Sequence, residues 1–431
     1  MVEDVALRRK LTLRLVAPLA LLFLINSLDR ANVSFAALRM NADLRLSPEA
    51  YGLGASIFFL GYILFQAPHA FSQRLLGPRV WICATMLVWG GFATSLAFIQ
   101  GHTQFFVLRF LLGVAEGGFA PGVMAYLATW APRRFRGWLI AGTMVAIPTS
   151  VILGGPLSGW LLQAGNPVGL AGWRWMFLVE GLPAVVLAGF ALLVFPNRLE
   201  QARWLTAEEK RALRDELERE HAEADAAGGA RLLPALAKPW LWISVLVWFG
   251  ILAGQYGLMF WLPQVIKAWS HASDMAVGFI AALPWIGIAS GMMLNAWHSD
   301  RTGERLLHLA VPAVLAAVCT ASAALVTNGP IALLLLTTGG FFLGAAQGAF
   351  WPIPTRLLAG MGAMGGVTLI NLCGNGAGVV TPWAIGWVRA HTGSFQAPVI
   401  AMAGVMLVVA ALMLPLRGVE DRRRPAATAA E

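Results

Sequence analysis

The sequence predicts an all-α polytopic membrane protein with twelve transmembrane helices in two pseudo-symmetric six-helix bundles. Three observations predict it. Of 431 residues, 58% are apolar and only 12% are charged, about half the charged share of a soluble domain. The apolar residues run in continuous blocks rather than in alternation, which favours helices over a barrel. Features also recur at a fixed offset: Gly77 and Gly303, and Pro156 and Pro382, are each 226 residues apart. A soluble fold of this size would lack polar residues to cover its surface. That excludes a cytosolic enzyme, a disordered chain and a secreted disulfide scaffold.

A spanning helix needs roughly 20 predominantly apolar residues. Candidate spans lie near residues 15–37, 50–71, 79–100, 103–126, 137–163, 172–195, 239–265, 274–297, 306–328, 330–354, 360–388 and 395–416. The start, Arg8-Arg9-Lys10 before an apolar run, is like the opening of a signal peptide. The run is long and has no small-residue cleavage site, so an uncleaved first helix is expected. The long polar stretch 196–238 separates the halves. In it, Thr206 and Glu209 have the spacing of a helix-capping box, and Gly228-Gly229 ends the charged run. The expected organisation is an N-terminal bundle, 1–195, a solvated linker with a short amphipathic helix, 196–238, and a C-terminal bundle, 239–431.

The net charge of +9 is an orientation signal. With the N-terminus inside, cytoplasmic segments hold 24 of the 31 Lys and Arg residues, and outer segments hold five: Arg39, Arg45, Arg174, Lys267 and Arg389. This is the positive-inside pattern with both termini cytoplasmic, in a bacterial-type inner membrane. No basic stripe is interleaved with aromatic residues, so no nucleic-acid partner is expected. Cys83, Cys319 and Cys373 lie inside spans without metal spacing and act as small apolar residues. His69, His298 and His308 sit near loops, and no metal or cofactor motif is present.

The two remaining cations, Arg30 and Arg109, lie within spans, as do Asp29 and Glu116. A charge at the bilayer centre costs at least ~2.5 kcal/mol and marks a functional candidate. At about 1.5 Å per residue, Asp29 lies some 20 Å above the start of helix 1, and Arg109 roughly 9 Å below the outer surface. In a core about 30 Å thick these depths nearly match, which allows an Asp29–Arg109 pair. Glu116 is two turns further along the Arg109 face, with Gly113 between them permitting close approach of a helix or ligand. Arg30, read as an unneutralised cation, offers a planar fork suited to a carboxylate, and Glu116 and Asp29 can carry protons. The alternative is a set of static pairs that only fix helix packing. Glu180 is expected to cap a helix or pair with Arg174.

The 226-residue offset sets Gln255-Tyr256 opposite Asp29-Arg30 and Phe342 opposite Glu116. The second half thus contributes neutral polar and aromatic candidates: Tyr256, Gln264, Trp351 and Asn371. Two parallel-related sets of six helices suit a rocker-type transporter with its site at midplane between the halves.

Several stretches carry a family resemblance. They are 27–32 (SLDRAN), 109–122 (RFLLGVAEGGFAPG), 154–159 (GGPLSG), 173–183 (WRWMFLVEGLP), 260–264 (FWLPQ), 298–305 (HSDRTGER), and Ile370-Asn371 with Gly374-Asn375. On these the chain resembles the major facilitator superfamily, and within it the anion:cation symporter family of tartrate, hexonate/hexuronate, aromatic-acid and sialic-acid transporters. The resemblance implies that Arg30 binds the substrate carboxylate, that Asp29 and Glu116 are protonation sites, and that Arg109 couples to them. It also implies binding-site positions at Tyr62, Gln66 and Asn371, and a cavity aromatic at Trp351. The family's gating loop after helix 8 is intact in Asp300, Arg301, Gly303 and Arg305. Its counterpart after helix 2 keeps only Gly77 and Arg79; Ala70 stands in a Gly place and Arg74 in an Asp place, so the inner lock is expected to be weaker or differently paired.

The expected function is proton-coupled symport of a small organic anion, a hydroxy-carboxylate, sugar acid or aromatic carboxylate, by an alternating-access monomer. The rivals are an organic-anion exchanger or uniporter without proton coupling, and a transporter-like ligand sensor. No nucleophile–base pair or metal-ligand spacing supports an enzyme.

Overall fold

The computed structural model describes residues 2–226, 236–358 and 363–416. The linker's Gly228-Gly229 and the basic residues after the last span lie outside them. The described residues are helical and contain no strand. Ten segments are long and apolar enough to cross a membrane, and a bent pair, Pro48–Leu64 with Gln66–Leu76 at 50°, makes an eleventh. Ala363–Thr392 is a 30-residue helix at the eleventh expected span; Asn371, Asn375 and its glycines lower its mean hydropathy. The chain divides into two compact units.

The first unit comprises residues 2–46, 53–226 and 273–279. Its first span is longer than the sequence suggests. Helix α1 (Val2–Leu11) runs through a π turn, Thr12–Val16, into α2 (Ala17–Asp43), giving one segment, Val5–Asp43. The basic start is helical because its charges find partners: Lys10 Nζ donates to Glu209 Oε1 at 2.8 Å, and Arg8 lies 4.8 Å over the Trp138 ring. The other helices are α3 (Pro48–Leu64, in this unit from residue 53), α4 (Gln66–Leu76), α5 (Pro78–Ser95), α6 (His102–Glu116), α7 (Phe119–Ala128), α8 (Arg133–Met144), α9 (Ala146–Gln163) and α10 (Gly172–Val194). Three expected spans are interrupted: at Phe65, at Gly117-Gly118 and at Val145. Glycine pairs of this kind are ordinary sites of helix breaks.

The linker helix α11 (Ala207–Ala226) begins at the expected capping box. The Glu209 N–H donates to Thr206 Oγ1 at 3.2 Å, and the Thr206 N–H to Glu209 Oε2 at 2.8 Å. The helix is not simply solvated. Glu216, Glu220 and Glu223 meet Arg134, Arg136 and Arg133, each at 3.0 Å. Such exposed pairs contribute less than about 1 kcal/mol each, but three in a row bind α11 along the start of α8.

Helices α3 and α6 cross closely because two glycines face α3. A Cβ on Gly113 would stand 1.9 Å from the Phe58 carbonyl oxygen, and one on Gly117 2.4 Å from that of Tyr62. Glycine at i and i+4 is the small-residue stripe by which helices approach in lipid.

The second unit comprises residues 47–52, 236–272, 280–358 and 363–416. Its helices are α12 (Pro239–Ser270), α13 (Asp274–Thr302, in this unit from residue 280), α14 (Leu307–Leu325), α15 (Gly329–Phe350), α16 (Pro352–Leu358), α17 (Ala363–Thr392) and α18 (Gln396–Ala411). The internal repeat is visible in its backbone. A Cβ on Gly344 of α15 would stand 2.0 Å from the Ile288 carbonyl of α13, the same kind of crossing as α3 with α6. Gly303 has φ 69°, as its counterpart Gly77 has φ 75°.

Gly113→Ala forces a methyl into a backbone carbonyl and is expected to lower stability by about 1–3 kcal/mol. Gly91→Ala, with nothing within 4 Å of the new methyl, is the neutral control. Thermal unfolding in detergent checks this; equal midpoints for the two variants would refute the close crossing.

Candidate functional site

The first unit gathers its intramembrane charges between α2, α3 and α6. Arg109 and Glu116 are fully buried and Asp29 is 1% exposed. Arg30 Nη2 donates to Glu116 Oε2 at 3.1 Å and to Asn26 Oδ1 at 3.4 Å. Asn26 lies one turn before Arg30 on the same helix face. The Arg30 guanidinium also rests 5.0 Å from the Tyr62 ring centroid and 5.4 Å from that of Phe58. Arg109 stands 4.6 Å from the same Phe58 ring, and its Nε donates to the Gly54 carbonyl at 3.2 Å. Aromatic faces partly replace the water these cations lack, by up to roughly 2 kcal/mol each when desolvated.

Two expectations are corrected here. Asp29 is not paired with Arg109: its Oδ2 accepts from Trp89 Nε1 at 3.0 Å, and its Oδ1 has no hydrogen-bond partner among the described residues. Arg30 is not an unneutralised cation, because Glu116 neutralises it. The physical reason is angular. Adjacent helix residues point about 100° apart, since a turn takes 3.6 residues. Asp29 therefore faces α5 while Arg30 faces α6, and matched depth alone does not choose partners.

Glu180 is a third correction. It is 1% exposed and accepts from Ser158 Oγ at 2.7 Å. Arg174 instead donates to the Ala97 and Ile99 carbonyls at 2.6 and 2.8 Å. Trp89 and Ser158, the donors to these two carboxylates, were not singled out from the sequence. A Trp inside a span has an N–H that needs an acceptor, and that was the available signal for Trp89.

The other expected positions fall as follows. Tyr62 is buried beside Arg30. Gln66 is the first residue of α4, just past the bend, and its buried Nε2 has no hydrogen-bond partner among the described residues. In the second unit, Tyr256 donates to Asn375 Oδ1 at 2.8 Å, and Asn375 Nδ2 to the Asn371 carbonyl at 2.8 Å. Trp351 sits at the α15–α16 break against Trp248, ring centroids 4.9 Å apart. Gln264 is separate from this chain and accepts from Arg389 at 3.2 Å. At the end of α13, Asp300 pairs with Arg305 of the following loop at 2.7 Å, and Arg301 lies 4.0 Å over Trp297. Arg79 donates only its backbone N–H, to Asn197 Oδ1 at 3.0 Å.

The first six-helix repeat holds a buried charge cluster, beside spans broken at Phe65 and Gly117-Gly118, and the second has neutral polar groups at the corresponding positions. The family model for the Major Facilitator Superfamily matches residues 19–370. The chain belongs to the Major Facilitator Superfamily. It is 43% identical over 408 residues to "Putative tartrate transporter" of Agrobacterium vitis, covering 95% of this chain and 90% of the relative. It is 36% identical over 399 residues to "Quinolone resistance transporter" of Acinetobacter baumannii, covering 93% and 92%. Among solved structures, a bacterial homologue of the human lysosomal transporter Spinster aligns with TM-score 0.79 at 16% identity, covering 96% of this chain and 98% of that one. A D-xylose-proton symporter aligns with TM-score 0.72 at 19% identity, covering 94% and 97%. The structural likenesses show the fold. The superfamily makes this chain a multi-pass secondary transporter and not an enzyme.

Trp89→Phe keeps an aromatic ring for the edge-to-face contact with Phe119, now at 4.8 Å, but removes the donor to Asp29. A hydrogen bond to a charged or chargeable buried group contributes roughly 1.5–3 kcal/mol. Thermal unfolding should show a loss of that size, and Asp29→Asn in the Trp89→Phe background should recover part of it. No loss in the single variant would show that the bond does not hold Asp29.

Proposed function

We propose that the protein is a proton-coupled symporter that takes up a small organic anion through the bacterial inner membrane by alternating access. One observation carries the reading: the Arg30–Glu116 ion pair at 3.1 Å. Arg30 is the fork best placed for a substrate carboxylate, and a protein carboxylate already occupies it. A substrate anion can take Arg30 only when Glu116 gives it up. A proton on Glu116 does this without leaving a bare carboxylate in an apolar interior. One cation shared between two carboxylates, one of them protonatable, couples anion binding to proton binding.

The remaining residues take the roles that the family resemblance implies. Tyr62, Gln66, Trp351 and Asn371 contact the anion, joined by Tyr256 from its place opposite Arg30 in the repeat; Asp29 is a second proton carrier and Arg109 fixes the field around both carboxylates. Arg79, Asp300, Arg301 and Arg305 shape the inner gate. Residues 1–195 and 239–431 are the two moving halves, and 196–238 the linker. The basic bias of alternate loops supports cytoplasmic termini. A relative named for tartrate supports a hydroxy-carboxylate; sugar acids and aromatic carboxylates have the same anchoring group.

In proteoliposomes, Glu116→Gln should abolish accumulation driven by a proton gradient while retaining counterflow of the same anion. Unchanged accumulation would refute the coupling and assign exchange or uniport. Arg30→Lys replaces the fork with a point charge and should weaken anion binding at least ~10-fold, read as the thermal shift against a panel of organic acids. Wild-type affinity in that variant would remove Arg30 from the binding site.

A further inference from the structure

The first unit has a second basic feature, remote from the charges just described. A cavity of about 580 Å³ is lined by Arg14, Arg79, Arg203, Gln201, Trp204 and the apolar turn 193–196 at the end of α10. The three arginines come from three parts of the chain. Arg14 lies in the π turn between α1 and α2, Arg79 is at the start of α5 after Pro78, and Arg203 lies in the turn before α11.

None of the three guanidinium groups has an ion-pair or hydrogen-bond partner among the described residues. Two acids of the adjoining linker are committed elsewhere. Glu200 accepts from Arg214 at 2.5 Å, and Glu209 from Lys10 at 2.8 Å. Backbone and Arg214 hydrogen bonds hold the Glu200 carboxyl below the usual range. For Glu209 burial pulls upward, but Lys10 and Thr206 outweigh it and hold it down too.

The positive-inside tendency explains why arginines lie at this end of the spans. It does not explain why three converge on one cavity with no acid among them. Three like charges around a shared space repel one another, and an anion in that space turns the repulsion into attraction. Guanidinium forks match phosphate oxygens in pairs. Apart from Gln201, the rest of the lining is largely apolar. Trp204 is stacked on Trp130 with ring centroids 6.1 Å apart and forms a flat wall. At the rim, Leu193 is 84% exposed on the last turn of a spanning helix, a surface for acyl chains.

We propose that this cavity binds a phosphate-bearing anion, with the headgroup of an anionic membrane phospholipid as the favoured source. The chains would lie along α10 from Leu193, and the phosphate would sit among Arg14, Arg79 and Arg203. A free phosphate is the other source of the same chemistry, and the probes below separate the two.

The test uses the full-length protein, delipidated in detergent, with native mass spectrometry of retained lipid. Phosphatidylglycerol should be retained at least ~5-fold over phosphatidylcholine, as expected of a site that needs net negative charge. In Arg14→Gln/Arg203→Gln the ratio should fall to about one, while Arg14→Lys/Arg203→Lys keeps part of it. In parallel, inorganic phosphate is titrated against the thermal midpoint. Phosphate stabilisation that is lost in the Gln variant, without lipid preference, assigns the site to a free phosphate. Circular dichroism and gel filtration of both variants show whether they fold; should the Gln variant not fold, the single variants Arg14→Gln and Arg203→Gln carry the comparison. Phosphatidylglycerol retained equally by folded wild type and variants, with no phosphate effect that depends on these arginines, overturns the proposal.

Discussion

A guanidinium that cannot reach water must be satisfied by the protein around it, and the interior of the first unit is arranged to do that twice. Arg30 and Arg109 both lie against the Phe58 ring. That ring reaches them because α3 and α6 cross where Gly113 and Gly117 leave no side chain between the backbones. The crossing also brings Glu116, at the C-terminal end of α6, within 3.1 Å of Arg30. Widening the crossing by one methyl would move the aromatic face, the ion pair and the Gly54 carbonyl held by Arg109 together. The glycines, the ring and the charges form one mechanical unit.

The second unit separates what the fold needs from what the chemistry needs. It has the same crossing, with Gly344 against the Ile288 carbonyl, and the same positive φ at the loop glycine. At the positions opposite Asp29, Arg30 and Glu116 it has Gln255, Tyr256 and Phe342. Its polar chain, Tyr256 to Asn375 to Asn371, is uncharged. At these positions the second repeat therefore packs by glycine contacts without ions. Static ion pairs as packing glue would have to be needed by one repeat and not by the other. This supports a chemical role for the charges of the first unit.

The sequence made the spans and the existence of the charge cluster legible because hydropathy and buried charge are one-dimensional signals. Depth is legible in the same way, from rise per residue. Azimuth is not. It decides that Asp29 meets Trp89 and that Arg30 meets Glu116, although Asp29 and Arg109 lie at similar depth. The partner of Glu180 is hidden for a related reason: Arg174 is near in sequence, but it is taken by carbonyls at the turn before α6, which no local pattern reveals. The capping box at Thr206 was legible because its chemistry is local. The docking of α11 on α8 was not, because it pairs residues more than eighty positions apart.

Electroneutrality extends the proposed mechanism to stoichiometry. Arg30 with Glu116 is a neutral pair in a region where an uncompensated charge costs several kcal/mol. A monocarboxylate that displaces Glu116 from Arg30 leaves one excess negative charge, and one proton on Glu116 cancels it. A dicarboxylate such as tartrate brings a second charge. Arg109 is fully buried and bound to the Gly54 carbonyl, so it is not free to move to that second carboxylate. The carboxyl of Asp29, held by Trp89 on a different face of α2, is then the group able to take a second proton without disturbing the first. On the proposed mechanism proton number follows substrate charge, with Glu116 taking the first proton and Asp29, on a different face of α2, the second.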